Sequence, residues 1–147
     1  MAEQHEKLLV GALESVRLHP SDAVLTARID TGATSASLDA RDIESFEVDG
    51  CDWVRFNIPT DDKGQGFMAV ERKVLRWVRI IQSTSEQGER RPVVEFEFDI
   101  GPLTQKAEFN LSDRSHLGFP VLIGRNILEN VMVVDVSKEY SLKLGSH

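Results

Sequence analysis

VEFEFDIGPLTQKAEFNL, residues 94–111, reads as two strands and the turn between them. Val94, Phe96, Phe98 and Ile100 alternate with Glu95, Glu97 and Asp99, the period of a strand with one buried face and one solvated face. Gly101-Pro102 is a turn signal, and beyond it Ala107, Phe109 and Leu111 alternate with Lys106, Glu108 and Asn110. Working outward, the same period recurs in Val54, Phe56 and Ile58 against Trp53, Arg55 and Asn57. Runs rich in Val, Ile and Leu at 8–18, 23–29, 74–81 and 131–136 predict further strands, as does the apolar run 121–123. Helix signals are few. Residues 125–130 follow Gly124 and place Ile127, Leu128 and Val131 at helical spacing, and residues 41–46 have room for one turn. Loops are expected at 19–22, 59–66, 83–91 and 112–120. The expected architecture is one all-β domain over residues 1–147, a closed barrel or sandwich with few short helices.

The 147 residues are enough for one core, and 41% hydrophobic against 28% charged is the balance of a globular chain. No apolar run approaches the roughly 20 residues that a membrane-spanning helix needs. The N-terminus lacks a basic segment followed by an apolar one, so no secretory signal and no membrane partner are expected. The single Cys51 cannot form an intrachain disulfide, which fits a cytoplasmic location. A net charge of −7 argues against nucleic acid as a partner. The charge is uneven. Residues 1–70 carry 6 Lys and Arg against 13 Asp and Glu, while residues 71–147 carry 11 of each. Residues 71–91 concentrate Arg72, Lys73, Arg76, Arg79, Arg90 and Arg91. Such a stretch is either a solvated, internally paired face or a site for an acidic ligand, and the sequence leaves both open.

Several chemistries lack their residues. No glycine-rich loop ends in Gly-Lys-Ser/Thr, so no nucleotide cofactor is expected. His5, His19, His116 and His147 are scattered without ligand spacing, and one cysteine cannot build a cysteine-pair zinc site, so no metal is expected. What is present is Asp30-Thr31-Gly32-Ala33, directly after the apolar run 23–29. Alone it reads equally as a turn. Much later come Val121-Leu122-Ile123 and then Gly124-Arg125-Asn126, leading into Ile127-Leu128.

In combination these segments resemble the retropepsin-like aspartic proteases. More closely, the chain is similar to a bacterial family traditionally named ATP-dependent zinc proteases. The shared segments are 28–33, Arg91-Pro92-Val93-Val94, 111–115 and 120–126, and the resemblance spans about residues 9–140. The zinc and ATP of that name have no counterpart in these residues. The resemblance implies a retropepsin-like barrel with one catalytic half per chain. It implies that Asp30, Thr31 and Gly32 form the catalytic loop, with Ala33 at the substrate. Gly124, Arg125 and Asn126 would support that loop. Many retropepsins carry an Asp four residues after the catalytic one, facing the Arg of the later segment. Here that position is Thr34, which leaves the partner of Arg125 open. Relatives sit beside ligases that add glutamate tails to a ribosomal protein, which implies an acidic peptide or protein substrate.

Amide hydrolysis needs a nucleophilic water, a base and an acid. Two carboxyls sharing one proton supply both roles, and held about 3 Å apart they cannot both ionise. Glycine lets the backbone turn closely beneath them. The chain holds a single Asp-Ser/Thr-Gly, so a dyad requires a homodimer with one Asp30 from each copy. A flap over the substrate is expected with its tip near 83–91, flanked by 74–81 and 92–98. Arg79, Arg90 and Arg91 would then meet the substrate. The chain is longer between its motifs than a minimal retropepsin, and the excess is assigned to an acidic insertion at about 39–66. Two other functions fit parts of the pattern: a non-catalytic β-rich dimerisation or peptide-binding module, and a metal-dependent hydrolase.

Overall fold

The computed structural model describes residues 6–80 and 89–145, and more than half of these are strand. In chain order they form β1 (Leu8–Val10), β2 (Leu13–Leu18), β3 (Ala23–Ile29), β4 (Ala36–Asp39), β5 (Arg41–Val48), β6 (Cys51–Pro59) and β7 (Phe67–Lys73). Then follow β8 (Arg76–Ile80), β9 (Glu89–Ile100), β10 (Leu103–Ser112), β11 (Val121–Ile123), the helix α1 (Arg125–Leu128) and β12 (Met132–Val134).

The opening hairpin is the wall from which the rest is built. β9 and β10 pair antiparallel from Leu103–Ile100 to Asn110–Val93, turning at Gly101, whose φ of 54° lies in the left-handed region. Its buried faces meet as aromatic edges: Phe98 and Phe109 have ring centroids 5.6 Å apart, and Phe96 and Phe109 6.3 Å, both T-shaped. The sheet then runs β10-β4-β11-β3-β2-β9 and closes on itself through the β9–β10 pairing, a six-stranded barrel with no free edge. β11 lies between β3 and β4, parallel to β3 and antiparallel to β4. That placement brings the chain after Ile29 and the chain after Ile123 to the same end of the barrel. β8 adds outside the ring, antiparallel to β9.

Residues 41–73, which take in most of the expected insertion, form a unit of their own. β5, β6 and β7 make an antiparallel meander, a three-stranded sheet separate from the barrel. Val54, Phe56 and Ile58 bury one face of β6, and Phe56 meets Phe96 edge to face at 6.1 Å, joining meander to barrel. Residues 41–46 are strand, not a helical turn. A register shift between Arg41 and Glu44, with Asp42 at φ 57°, breaks the period-two pattern there. β7 has no counterpart in the sequence reading. Val70 is its one fully buried residue, so it lacks an apolar stripe. The run 8–18 divides into two strands, because the chain leaves the barrel at Gly11 and β1 pairs with β12 instead.

A fully buried carboxylate holds the C-terminal segment down. Glu14 of β2 accepts the Gly11 N–H (2.7 Å), the Ser141 hydroxyl (2.8 Å) and the Leu142 N–H (3.2 Å).

Candidate active site

Asp30 is the first residue beyond β3, and its N–H donates to the Ile123 carbonyl at 3.0 Å. The strand pairing of β3 with β11 thus continues to the residue that carries the carboxyl. The side chain is half-buried. Its Oδ1 accepts the Gly32 N–H at 2.9 Å, so the loop closes on the carboxylate. A Cβ on Gly32 would lie 3.3 Å from that oxygen, which is why a side chain is unwelcome there. Thr31 and Gly32 are exposed at the loop's crest.

The segment after β11 fastens the loop from behind. Gly124 is buried, and a Cβ there would stand 2.6 Å from the backbone carbon of Ser35 and 3.0 Å from the Ala33 oxygen. The Arg125 N–H donates to the Ala33 carbonyl (2.8 Å) and the Asn126 N–H to the Thr34 carbonyl (3.1 Å). The Asn126 amide reaches both ways, with Oδ1 accepting from the Ala36 N–H (2.8 Å) and Nδ2 donating to the Glu108 carbonyl (3.0 Å). The open question over Arg125 has an answer: its Nη2 donates to the Thr34 hydroxyl at 2.9 Å. A neutral hydroxyl takes the place where many retropepsins have a carboxylate.

Beside this loop lies a cleft of about 380 Å³. Ala33, Thr34 and Ser35 form one wall, and Arg76, Val78 and Ile80 of β8 with Arg91 and Val93 of β9 form the opposite one. Asn110, Arg114 and Asn126 line it as well, whereas Asp30 stands next to the cleft rather than among its lining residues. The β8–β9 ladder is the stem of the expected flap. Its tip, residues 81–88, lies outside the described residues.

Strand alternation sorts the predicted arginines. Arg91 faces the cleft, donating from Nη1 to Asn110 Oδ1 (3.2 Å) and from Nη2 to Glu89 (2.9 Å). Arg90 is one residue away and faces oppositely. Its guanidinium lies 4.5 Å from the Trp77 ring centroid, a cation–π contact. Arg79 pairs with Arg90 across the ladder on that same outer face. The structure therefore brings Ala33 and Arg91 to the cleft and sets Arg79 and Arg90 apart from it.

Two residues of the cleft carry signals the sequence reading did not use as site residues. Asn110 is buried, and its Oδ1 also accepts the Ser37 hydroxyl while Nδ2 donates to the Ala36 carbonyl. Arg114, inside the shared segment 111–115, is only 7% exposed. Its own N–H donates to Asp39 Oδ1 (2.9 Å) and its Nε to the Phe119 carbonyl (3.2 Å). Burial pushes the guanidinium below the ordinary arginine value; Asp39 opposes this, Arg91 and Arg28 add to it, and Asp30 opposes it. Among the described residues, no group of three or more His, Cys, Asp or Glu is placed to hold a metal ion, and no helix is long and apolar enough to cross a membrane.

Comparison with known proteins follows the same lines. A family model described as RimB-like, retropepsin-like aspartic endopeptidase RimB, matches residues 9–143. The chain is 30% identical over 119 residues to a probable alpha-L-glutamate ligase of Shewanella pealeana, covering 80% of this chain and 26% of the ligase. It is 28% identical over 138 residues to a probable alpha-L-glutamate ligase of Parasynechococcus marenigrum, covering 92% of this chain and 29% of that one. The chain thus spans between a quarter and a third of the length of these curated relatives. A solved Legionella pneumophila protein of unknown function aligns with a TM-score of 0.78 at 28% identity, covering 94% of this chain and all of that one.

Proposed function

The chain belongs to the RimB-like family of retropepsin-like aspartic endopeptidases, and on that premise we propose that it cleaves peptide bonds with a dyad of two Asp30 carboxyls in a homodimer. The observation that carries this reading is the placement of Asp30. It stands where β3 ends beside β11, closed by the Gly32 N–H and braced through Gly124, Arg125 and Asn126. One carboxylate takes a proton from the attacking water while the other, protonated, donates to the carbonyl oxygen. The proton then passes to the leaving amine. Thr31 is exposed at the crest, and in this reading its hydroxyl bonds to the partner's loop and braces the pair. The β8–β9 hairpin is the flap. The relatives named as glutamate ligases support a substrate rich in glutamate, and we place the peptidase in the cytoplasm beside such chemistry.

The dyad supplies acid and base without a metal or a nucleotide. Cleavage of an acidic peptide is accordingly expected to survive EDTA and to need no ATP. Inactivation by chelator with rescue by added zinc would overturn the dyad mechanism.

The two faces of the flap stem make a second test. Arg91→Glu is expected to raise KM for glutamate-rich peptides, because it sets a carboxylate against the substrate's own in the cleft. Arg90→Glu, on the Trp77 face, is expected to change KM far less. The Arg91 effect should shrink in high salt, since charges are screened over about 8 Å at physiological ionic strength. Equal effects of the two reversals would show that the cleft face does not select the substrate.

A further inference from the structure

The cleft contains a cation whose role the barrel does not explain. Arg114 is more than nine-tenths buried, yet among the described residues no carboxylate lies within ion-pair distance of its guanidinium. Asp39, its nearest acidic neighbour by hydrogen bonding, accepts the Arg114 backbone N–H and pairs through its side chain with Arg41 instead. Nε is taken by the Phe119 carbonyl, which fixes the plane of the guanidinium. No buried side-chain nitrogen among the described residues lacks a hydrogen-bond partner, so the outer Nη atoms, for which no protein acceptor is found, are not sealed in protein: Arg114 lines the cleft, and on its other side a second pocket of about 160 Å³ beside Asp39, Arg41 and Asp61. Arginine keeps its charge in essentially every protein setting, and a buried unpaired charge is destabilising. Asp39 and Asp30 offset part of that cost at longer range, and an anionic ligand at the free nitrogens would offset more. Here the second guanidinium of the cleft, Arg91, adds positive charge close by.

We propose that Arg114 is a specificity-determining residue, whose outer guanidinium nitrogens, together with Arg91, take a carboxylate side chain of the peptide held beside Asp30. The inference rests on the peptidase reading for the identity of its ligand as a peptide. A glutamate side chain entering the cleft would present a planar acceptor to a planar, pre-oriented donor pair. Glutamine has the same shape without the charge. Discrimination between the two therefore isolates this contact. Each of the other two arginines is paired with a glutamate, Arg76 with Glu108 and Arg91 with Glu89, but Arg76 is 52% exposed against 14% for Arg91, so solvent screens its charge more and it contributes less.

The experiment compares a fluorescent peptide ending in four glutamates with its four-glutamine counterpart, on the full chain. kcat/KM is measured for wild type, Arg114→Met, Arg114→Lys and Arg91→Gln, with thermal melting of each. Binding of both peptides to Asp30→Asn, alone and combined with Arg114→Lys, is read by anisotropy. The wild type is expected to prefer the glutamate peptide. Arg114→Met should lower kcat/KM on that peptide by about 10- to 100-fold, through KM, and leave the glutamine peptide within about twofold. Arg114→Lys, which keeps the charge and loses the fork, should fall between and serves if Arg114→Met does not fold. Equal losses on both peptides, or an unchanged glutamate preference in Arg114→Lys and Arg91→Gln, would make Arg114 a structural residue and overturn the inference. The two readings fail separately. Cleavage of both peptides at equal rates removes the subsite and leaves the peptidase. Glutamate-selective, Arg114-dependent binding with no cleavage by the wild type removes the peptidase and leaves the subsite.

Discussion

Asp30→Asn is expected to lower peptidase activity by about three to four orders of magnitude, the worth of a positioned general acid and base. The amide cannot take the water's proton, and in a homodimer both halves of the dyad are lost at once. The fold should persist. Asparagine keeps the oxygen that accepts the Gly32 N–H, and the strand pairing through the Asp30 N–H is backbone. Melting temperature should hold or rise, because two carboxyls in contact repel each other in the folded dimer. The assay is hydrolysis of a glutamate-rich peptide with circular dichroism of the same samples. Wild-type turnover by the asparagine variant would end the dyad mechanism.

The second large effect is on stability. Gly124→Ala is expected to destabilise the chain by about 3 kcal/mol, the upper end for overpacking a well-filled site. The new Cβ would meet backbone, not a side chain that can swing away: the Ser35 carbon at 2.6 Å, the Ser35 oxygen at 2.7 Å and the Ala33 oxygen at 3.0 Å. Relief requires the loop 33–35 to move off α1, which breaks the Arg125 and Asn126 hydrogen bonds that hold it. The melting midpoint should therefore fall by about 10 °C for a chain of this size. Gly145→Ala, where no atom lies within 4 Å of the place a Cβ would take, is the neutral control. A Gly124→Ala midpoint matching that control would show that the close approach is not what sets this position.

Sequence and structure agree where one strand face is buried and the other wet. β9 and β10 advertise themselves because Glu95 and Glu97 stand between buried Val94, Phe96 and Phe98, and Thr104 and Lys106 stand exposed between half-buried residues. β4 gives no such signal, since Ala36, Ser37, Leu38 and Asp39 are all buried and the strand lies inside the barrel wall. β7 fails for the opposite reason, with nearly all of its residues at the surface. The Asp30 loop stood out as a motif because Asp30, Thr31 and Gly32 are contiguous. The cleft did not, because its walls come from segments far apart in the chain: Ser37 meets Asn110, and Arg91 meets Asn110 in turn. The placement of Arg90 and Arg91 turns on a single residue of register, which composition cannot reveal. Arg114 lay inside a shared segment, yet its burial beside the cleft emerges only when the loop after β10 folds back along Asp39.

The most direct test of the dyad is the separation of the two Asp30 carboxyls in a crystal structure of the dimer. Carboxyl oxygens about 3 Å apart across the twofold axis are expected, close enough to share one proton and bind one water. A dimer that sets the two Asp30 side chains too far apart to share a water, or a monomer that cleaves peptides, would contradict it.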